Sequence, residues 1–295
     1  MSWNFERVAG PYNGATGGLA WNGANMLFSA VKEERILAFD PKSSKVSEFR
    51  RYTGRTNGLA IGPDGSVYGA QEGGRRVIEF KKDGSTVQTC DQLEGKYHNQ
   101  PTDLARDAQG RVWIADAFSD TPAYGPPIFP FLDHASVLRL ERDAAQAWTL
   151  KRVTFDTKAV RAIALSPDEK TLYVAEGDTE RAGKRELRVY PLLANGSAGK
   201  YKVIHEFGAD DRGAEGLCVD REGHLIACAG SAGSGPGPLL YVFAPSGALI
   251  EKHAAPSDMP MRVAFGDHDL GGLYLTTGEG HLYRTRDTGR KGLRR

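Results

Sequence analysis

The stretch NGLAIGPDGSVYGA (57–70) holds two short apolar runs on either side of the turn Pro63-Asp64-Gly65. Apolar runs flanking an Asp-Gly turn are the signature of a β-hairpin. The same reading fits GGLAWNGANMLFSA (17–30), TDLARDAQGRVWIA (102–115), RAIALSPDEKTLYVA (161–175), EGLCVDREGHLIACA (215–229) and MRVAFGDHDLGGLYLTT (261–277). The third residue of each copy is Leu19, Leu59, Leu104, Ile163, Leu217 and Val263, so the period varies between 40 and 59 residues. A further strand-like run follows each copy, as in RILAFDP (35–41) or LLYVFAPSG (239–247), and a fourth comes after it, as in KVSEFRRY (45–52). Four strands per period is the unit of a propeller blade. The pattern predicts an all-β chain: a six-bladed β-propeller of four antiparallel strands per blade, one domain spanning 1–295. The last copy runs out of strands near Arg284, while NFERVAG (4–10) precedes the first copy unused. The N-terminal strand is therefore expected to complete the last blade and close the ring, which leaves only short sheet edges.

Composition narrows the function. Among 295 residues, 38 Lys and Arg balance 37 Asp and Glu to a net charge of +1. A nucleic-acid or membrane-surface protein would carry a basic excess, so neither partner is expected. No apolar run reaches the length of a membrane span, and the first residues lack an apolar signal core. Cys90, Cys218 and Cys228 cannot all pair with one another and read as reduced thiols of a cytoplasmic protein. Zinc-finger spacings, a phosphate-binding loop and a nucleophile elbow are missing from the sequence.

In a propeller the short first-to-second and third-to-fourth connections share one face. The second-to-third connections are expected to be longer and to gather on the other face with the links between blades, where function usually sits. AFSDTPAYGPPIFPFLDH (117–134) reads as a rim or lid there, with Tyr124 and His134 on it, and GSAGSGPGP (230–238) as a path that needs glycine. His205, His224 and His253 fall away from that face and read as surface residues. The innermost strand of each blade starts on the loop-rich face, so equivalent positions must ring the axis. First positions are Gly17, Asn57, Thr102, Arg161, Glu215 and Met261; second positions are Gly18, Gly58, Asp103, Ala162, Gly216 and Arg262. Arg161, Arg262, Asp103 and Glu215 would converge, and buried charges must be paired or ligated. Either an ion-pair plug or a site satisfies that demand.

The repeats resemble the senescence-marker-protein/gluconolactonase family of six-bladed propeller hydrolases. The segments TNGLAIGPDGSVYGAQEGGRRV (56–77), EGKYHNQPTDLARDAQGRVWIAD (94–116), ALSPDEKTLYVAEGD (164–178) and RVAFGDHDLGGLYLTTGEGHLYR (262–284) carry the resemblance. It implies hydrolysis of a lactone ester at a central divalent cation (calcium, zinc, magnesium, manganese or iron) held by Glu, Asn and Asp. Those ligand positions fall on Gly17, Arg161 and Glu215. A substrate-contacting Asn of the family falls on Thr102, whereas Asn99 and Asp103 are kept. One carboxylate is a poor divalent site, and a guanidinium repels a cation. No cofactor is therefore expected, with Glu215 as the anchor if a metal is bound, helped by Asp103, Asp116 or His98.

These residues suggest lactonase-like chemistry with Arg161 in place of the metal, stabilising an oxyanion or enolate. Glu215 is expected to act as general base or to orient Arg161, and Asp103 joins them as a catalytic candidate. Arg262 is read as a second anchor for an anionic substrate such as a carboxylated or sugar-acid lactone. Thr102, Asn99, Asn57, His98 and Tyr124 are the further substrate-binding candidates. A lyase or isomerase acting on a similar small acid needs the same parts, and a propeller that only binds a ligand is the alternative outside catalysis.

Overall fold

The computed structural model describes residues 2–118, 130–177, 183–208 and 211–294, with backbone alone at 235–236. Six four-stranded antiparallel sheets follow one another along the chain. Their innermost strands are Thr16–Trp21, Thr56–Ile61, Gln100–Arg106, Val160–Leu165, Ala214–Val219 and Pro260–Gly266. The sixth sheet has only three strands from its own repeat. Its outer strand is Glu6–Ala9, paired antiparallel with Leu282–Thr285 in the register Glu6↔Arg284, which closes the ring as the sequence predicts.

Strand periodicity explains the packing. Successive side chains point to opposite faces of a sheet, so each blade presents one apolar set to the blade before it and another to the blade after. Ile36 and Ala38 pack with Leu59, Val67 and Phe80 of the second blade. Their neighbours Leu37 and Phe39 pack with Tyr274 and Leu282 of the sixth. The six hydrophobic clusters of the described residues each lie between two adjacent blades. Trp3 joins the cluster between blades five and six and stacks on His253 with ring centroids 3.9 Å apart. His253 is consequently buried, not the surface residue the repeat frame suggests.

The connections depart from expectation on the loop-rich face. Only blades three and four have long second-to-third links. Blade one turns through a 3₁₀ segment, Val31–Glu33, and blade five through a tight turn between Ser231 and Ser234. Gly230 and Gly237, at φ +84 and +92, flank that turn, which is the glycine requirement the sequence shows. Most of the proposed lid, including Tyr124, lies outside the described residues; its end returns to the fold, with Leu132 N–H donating to Tyr97 O at 2.9 Å.

One irregularity recurs in every blade. The ladder between first and second strands slips by one residue between Thr16 and Leu19, Thr56 and Leu59, Pro101 and Asp103, Val160 and Ala162, Ala214 and Gly216, and Pro260 and Arg262. The slip falls on the first position of every repeat. A bulge of this kind leaves a residue unpaired and re-aims its groups, and such bulges gather beside active sites. Here six of them encircle the axis. The neighbouring inner strands come very close at this level: a Cβ on Gly216 would lie 2.5 Å from Met261 O and 2.7 Å from Arg262 Cα. Gly216→Ala is thus expected to lower stability by about 1–3 kcal/mol through overpacking. Gly233→Ala, where an added Cβ meets nothing within 4 Å, is expected to leave the urea midpoint unchanged. Equal midpoints for both variants would contradict the close approach.

Candidate functional site

The bulges put two kinds of side chain at the ring centre. Arg161 and Glu215, at the unpaired first positions of blades four and five, both line a cavity of about 420 Å³ that Arg185, Asp211, Arg212 and Ser234 also line. Asp103 and Arg262, one position further along, line a different cavity of about 840 Å³ formed by the other ends of the inner strands. That second cavity has apolar walls such as Leu19, Leu59, Leu217 and Val263. The predicted convergence of four charges therefore divides into two pairs of residues.

In the smaller cavity, Arg161 lies half-buried across Gly177, with its Nε donating to Gly177 O at 3.3 Å. Among the described residues this is the hydrogen bond its guanidinium makes, so the Nη edge is available. Glu215 does not orient Arg161; its Oε1 is 3.1 Å from Arg212 Nη2. Arg212 is placed by its own surroundings, its Nη atoms lying 3.6 Å and 3.8 Å from the sulfurs of Met259 and Met261. Asp211 is committed to a turn, accepting from Gly208 N–H at 2.8 Å. Among the described residues, three arginines line this cavity, Arg185 also donating from Nη1 to Gly183 O at 3.1 Å, and the two carboxylates that line it already have donors. Such a surface suits an anion, which guanidinium groups bind in bidentate fashion. Sequence reasoning missed Arg212 and Arg185. The available signal for Arg212 was a cation three residues before a first-position acid, in the run leading into an inner strand.

Arg262 spends its donors elsewhere. Nη1 donates to Glu215 O in a short contact and to Met261 O at 2.9 Å. Nη2 donates to Thr102 O at 3.0 Å and Arg161 O at 3.4 Å, and Nε faces Asp103 Oδ1 at 3.5 Å. These are the bulged residues of blades three to six. Arg262 thus spans the inner strands of four blades as a plug at the axis; with Asp103 it lines the larger cavity, and neither lines the smaller one. Asp103 is held by Ile163 N–H, which donates to its Oδ2 at 3.1 Å. Thr102 is buried, with Oγ1 at 3.4 Å from both Ala115 O and Arg161 O.

The other candidates lie apart from both charge pairs. Asn57 Oδ1 sits 2.6 Å from where a Cβ of Gly17 would be, and has no hydrogen-bond partner. Asn99 is buried in blade three, its N–H donating to Asp116 Oδ2 at 2.9 Å and its side-chain amide to His134 O at 3.0 Å. His98 is fully buried 3.6 Å from Asp116 Oδ1, and neither ring nitrogen is hydrogen-bonded. Of the cysteines, Cys228 is buried, and burial pushes its thiol up to about 12. All three are free.

A divalent cation does not fit the positions the resemblance implies. A side chain at Gly17 would collide with Asn57, Arg161 brings a positive charge, and the Glu215 carboxylate already holds Arg212. The helpers named from sequence are no nearer: Asp103 faces Arg262, and His98 and Asp116 belong to blade three. Among the described residues, no three His, Cys, Asp or Glu side chains cluster as metal ligands.

Burial pushes the carboxyl of Asp103 above the usual carboxylate range, while the nearby Arg262 pulls it the other way. A carboxyl whose folded pKa is raised adds stability that is complete below its unfolded value of about 3.9 and is lost as pH rises through the folded value. Comparing urea midpoints of wild type and Asp103→Asn from pH 4 to pH 7 is expected to show wild type losing ground to the variant as pH rises. A gap that stays constant with pH would contradict this.

The sequence model of the SMP-30/Gluconolactonase/LRE-like region matches residues 16–279. A gluconolactonase of Zymomonas mobilis is 31% identical over 209 residues, 66% of this chain; that match spans about half, 53%, of the enzyme's length. A 6-deoxy-6-sulfogluconolactonase of Pseudomonas putida is 23% identical over 84% of this chain and 80% of its own. Among solved structures, a gluconolactonase from Xanthomonas campestris superposes with TM-score 0.81 at 24% identity, over 96% of this chain and 88% of that one. A calcium-binding regucalcin of Agrobacterium tumefaciens superposes with TM-score 0.77 at 16% identity, over 99% and 96%. The six-bladed ring, its N-terminal closing strand and the match across 16–279 together make this chain a member of the SMP-30/gluconolactonase family.

Proposed function

We propose that this protein is a lactone hydrolase that acts on a small anionic lactone in the cavity between blades four and five, with a guanidinium doing the electrostatic work of the family's metal. The observation that carries this reading is the available Nη edge of Arg161 in the cavity that also holds Glu215. Ester hydrolysis needs a positive charge where the carbonyl oxygen becomes an oxyanion, and a base for the attacking water. Arg161 supplies the charge. Glu215 takes the proton of the water as it adds to the carbonyl carbon. The tetrahedral intermediate then expels the ring oxygen, which takes the proton from Glu215 and leaves as a hydroxyl, returning Glu215 to its carboxylate.

Arg185 and Arg212 extend the positive surface, so the substrate carries an acidic group besides the lactone. The Pseudomonas putida relative is named for a sulfo-substituted gluconolactone, and a carboxylate or sulfonate on the sugar would meet the same two arginines. Asp103, an expected catalytic residue, becomes a structural partner of Arg262 in this reading.

Turnover of a neutral aldonolactone and of its counterpart with a terminal carboxylate tests the proposal. Arg161→Ala is expected to cost on the order of 100-fold or more in kcat/KM, the scale for losing an oxyanion donor, without a change in thermal midpoint. Arg212→Ala is expected to erase preference for the charged lactone. A chelator should leave wild-type turnover unchanged. Wild-type activity in Arg161→Ala, or chelator-sensitive activity restored by a divalent cation, would overturn the assignment.

A further inference from the structure

The ring axis of this molecule is lined with oxygens. Bulging takes the carbonyls of Thr102, Arg161, Glu215 and Met261 out of their ladders, and all four accept from one guanidinium, with the Asp103 carboxylate completing the set. We infer that these five groups form a cation cage which the protein fills with its own Arg262, and that Arg262 is thereby the positioning residue for Arg161 and Glu215. The role of Arg262 in catalysis rests on the proposed function; the cage itself does not.

The fit of group to cage supports this. A guanidinium has five N–H donors in a planar fork and no acceptor. The two Nη groups reach carbonyls from four consecutive blades, and Nε lies 3.5 Å from the Asp103 carboxylate as an ion pair without a hydrogen bond. A lysine ammonium brings three donors from one point and cannot span the same oxygens. The surroundings also make room for this side chain. Second positions at Gly18, Gly58 and Gly216 have no space for a Cβ, each facing backbone of the next inner strand at 2.6 Å or less. The space at this level of the axis is left to Asp103 and Arg262. Two of the carbonyls that Arg262 holds belong to residues whose side chains point into the smaller cavity. Fixing a carbonyl fixes the peptide plane, and with it the direction in which the guanidinium of Arg161 and the carboxylate of Glu215 leave the backbone. Arg262 itself does not line that cavity.

A cage built around a guanidinium can be refilled by the free ion. Arg262→Ala in the complete chain is expected to lower the thermal midpoint by about 10 °C, the scale for removing one partner of a buried ion pair. Guanidinium chloride at a few tens of millimolar is expected to restore much of that loss saturably. Urea, its neutral isostere, and sodium chloride at equal ionic strength are expected to restore nothing, and wild type should not respond. With the lactone as substrate, kcat is expected to fall about tenfold or more, as misplacement of catalytic groups does, with KM little changed and kcat recovering with guanidinium. If the alanine variant does not fold, Arg262→Lys keeps a charge beside Asp103 and is expected to fold with a lower midpoint and lower kcat, neither moved by guanidinium. Wild-type midpoint and kcat in either variant would overturn the inference, and so would equal rescue by urea or salt. A wild-type protein that hydrolyses no lactone would remove the proposed function alone, because the thermal rescue still decides the cage.

Discussion

Six bulges at one level of one ring set the terms for everything near the axis. A bulge withdraws a residue from the ladder, and its backbone groups then need other partners, since a buried carbonyl left without a donor costs free energy. In a propeller this demand is multiplied by the repeat and concentrated where the inner strands converge. Ser29 Oγ meets it in the second blade by donating to Asn57 O at 3.0 Å. In blades three to six one side chain reaches all four carbonyls, with Thr102 Oγ1 adding a second donor at Arg161 O, and only a group with several donors fanned in a plane can serve four carbonyls from four directions. The choice of arginine at 262 follows from that geometry as much as from its charge.

Charge then imposes its own consequence. A guanidinium among carbonyls is solvated by dipoles but not neutralised, and Asp103 beside it supplies the neutralising carboxylate. Moving both ions out of water is costly, so such a pair is a weak source of net stability. What the pair does contribute is a tie at the axis, since the carbonyls that Arg262 reaches come from blades three to six.

The repeat was legible in the sequence because hairpin turns and alternating apolar runs are local signals, and six copies reinforce one another. The N-terminal strand was legible by the same logic, since a ring short of one outer strand must find it elsewhere. The direction of Arg262 was not. Along a strand, one residue of slip exchanges the two faces, and the bulge at Met261 introduces such a slip between Pro260 and Arg262. Arginine at a second position therefore reads as facing the site while it spans the axis instead. Arg212 was hidden for another reason. It lies outside the repeat, in an irregular run where spacing carries no information about contact, and the sulfurs of Met259 and Met261 that surround it come from the next blade. His253 read as exposed because its cover, Trp3, lies 250 residues earlier in the chain.

Glu215 is where the two halves of the centre meet. Its carbonyl accepts from Arg262 on the axis, and its carboxylate faces Arg212 in the cavity. Backbone and side chain of one bulged residue are thus held by two arginines from opposite sides. Neither contact could form in a regular ladder, where the carbonyl would be paired with the neighbouring strand. A carboxylate restrained at both ends has few orientations to lose, which is what the proposed function asks of Glu215. The bulge that frees the carbonyl is therefore also what aims the carboxylate, and the architecture of the axis and the charge arrangement of the cavity depend on the same displaced residue.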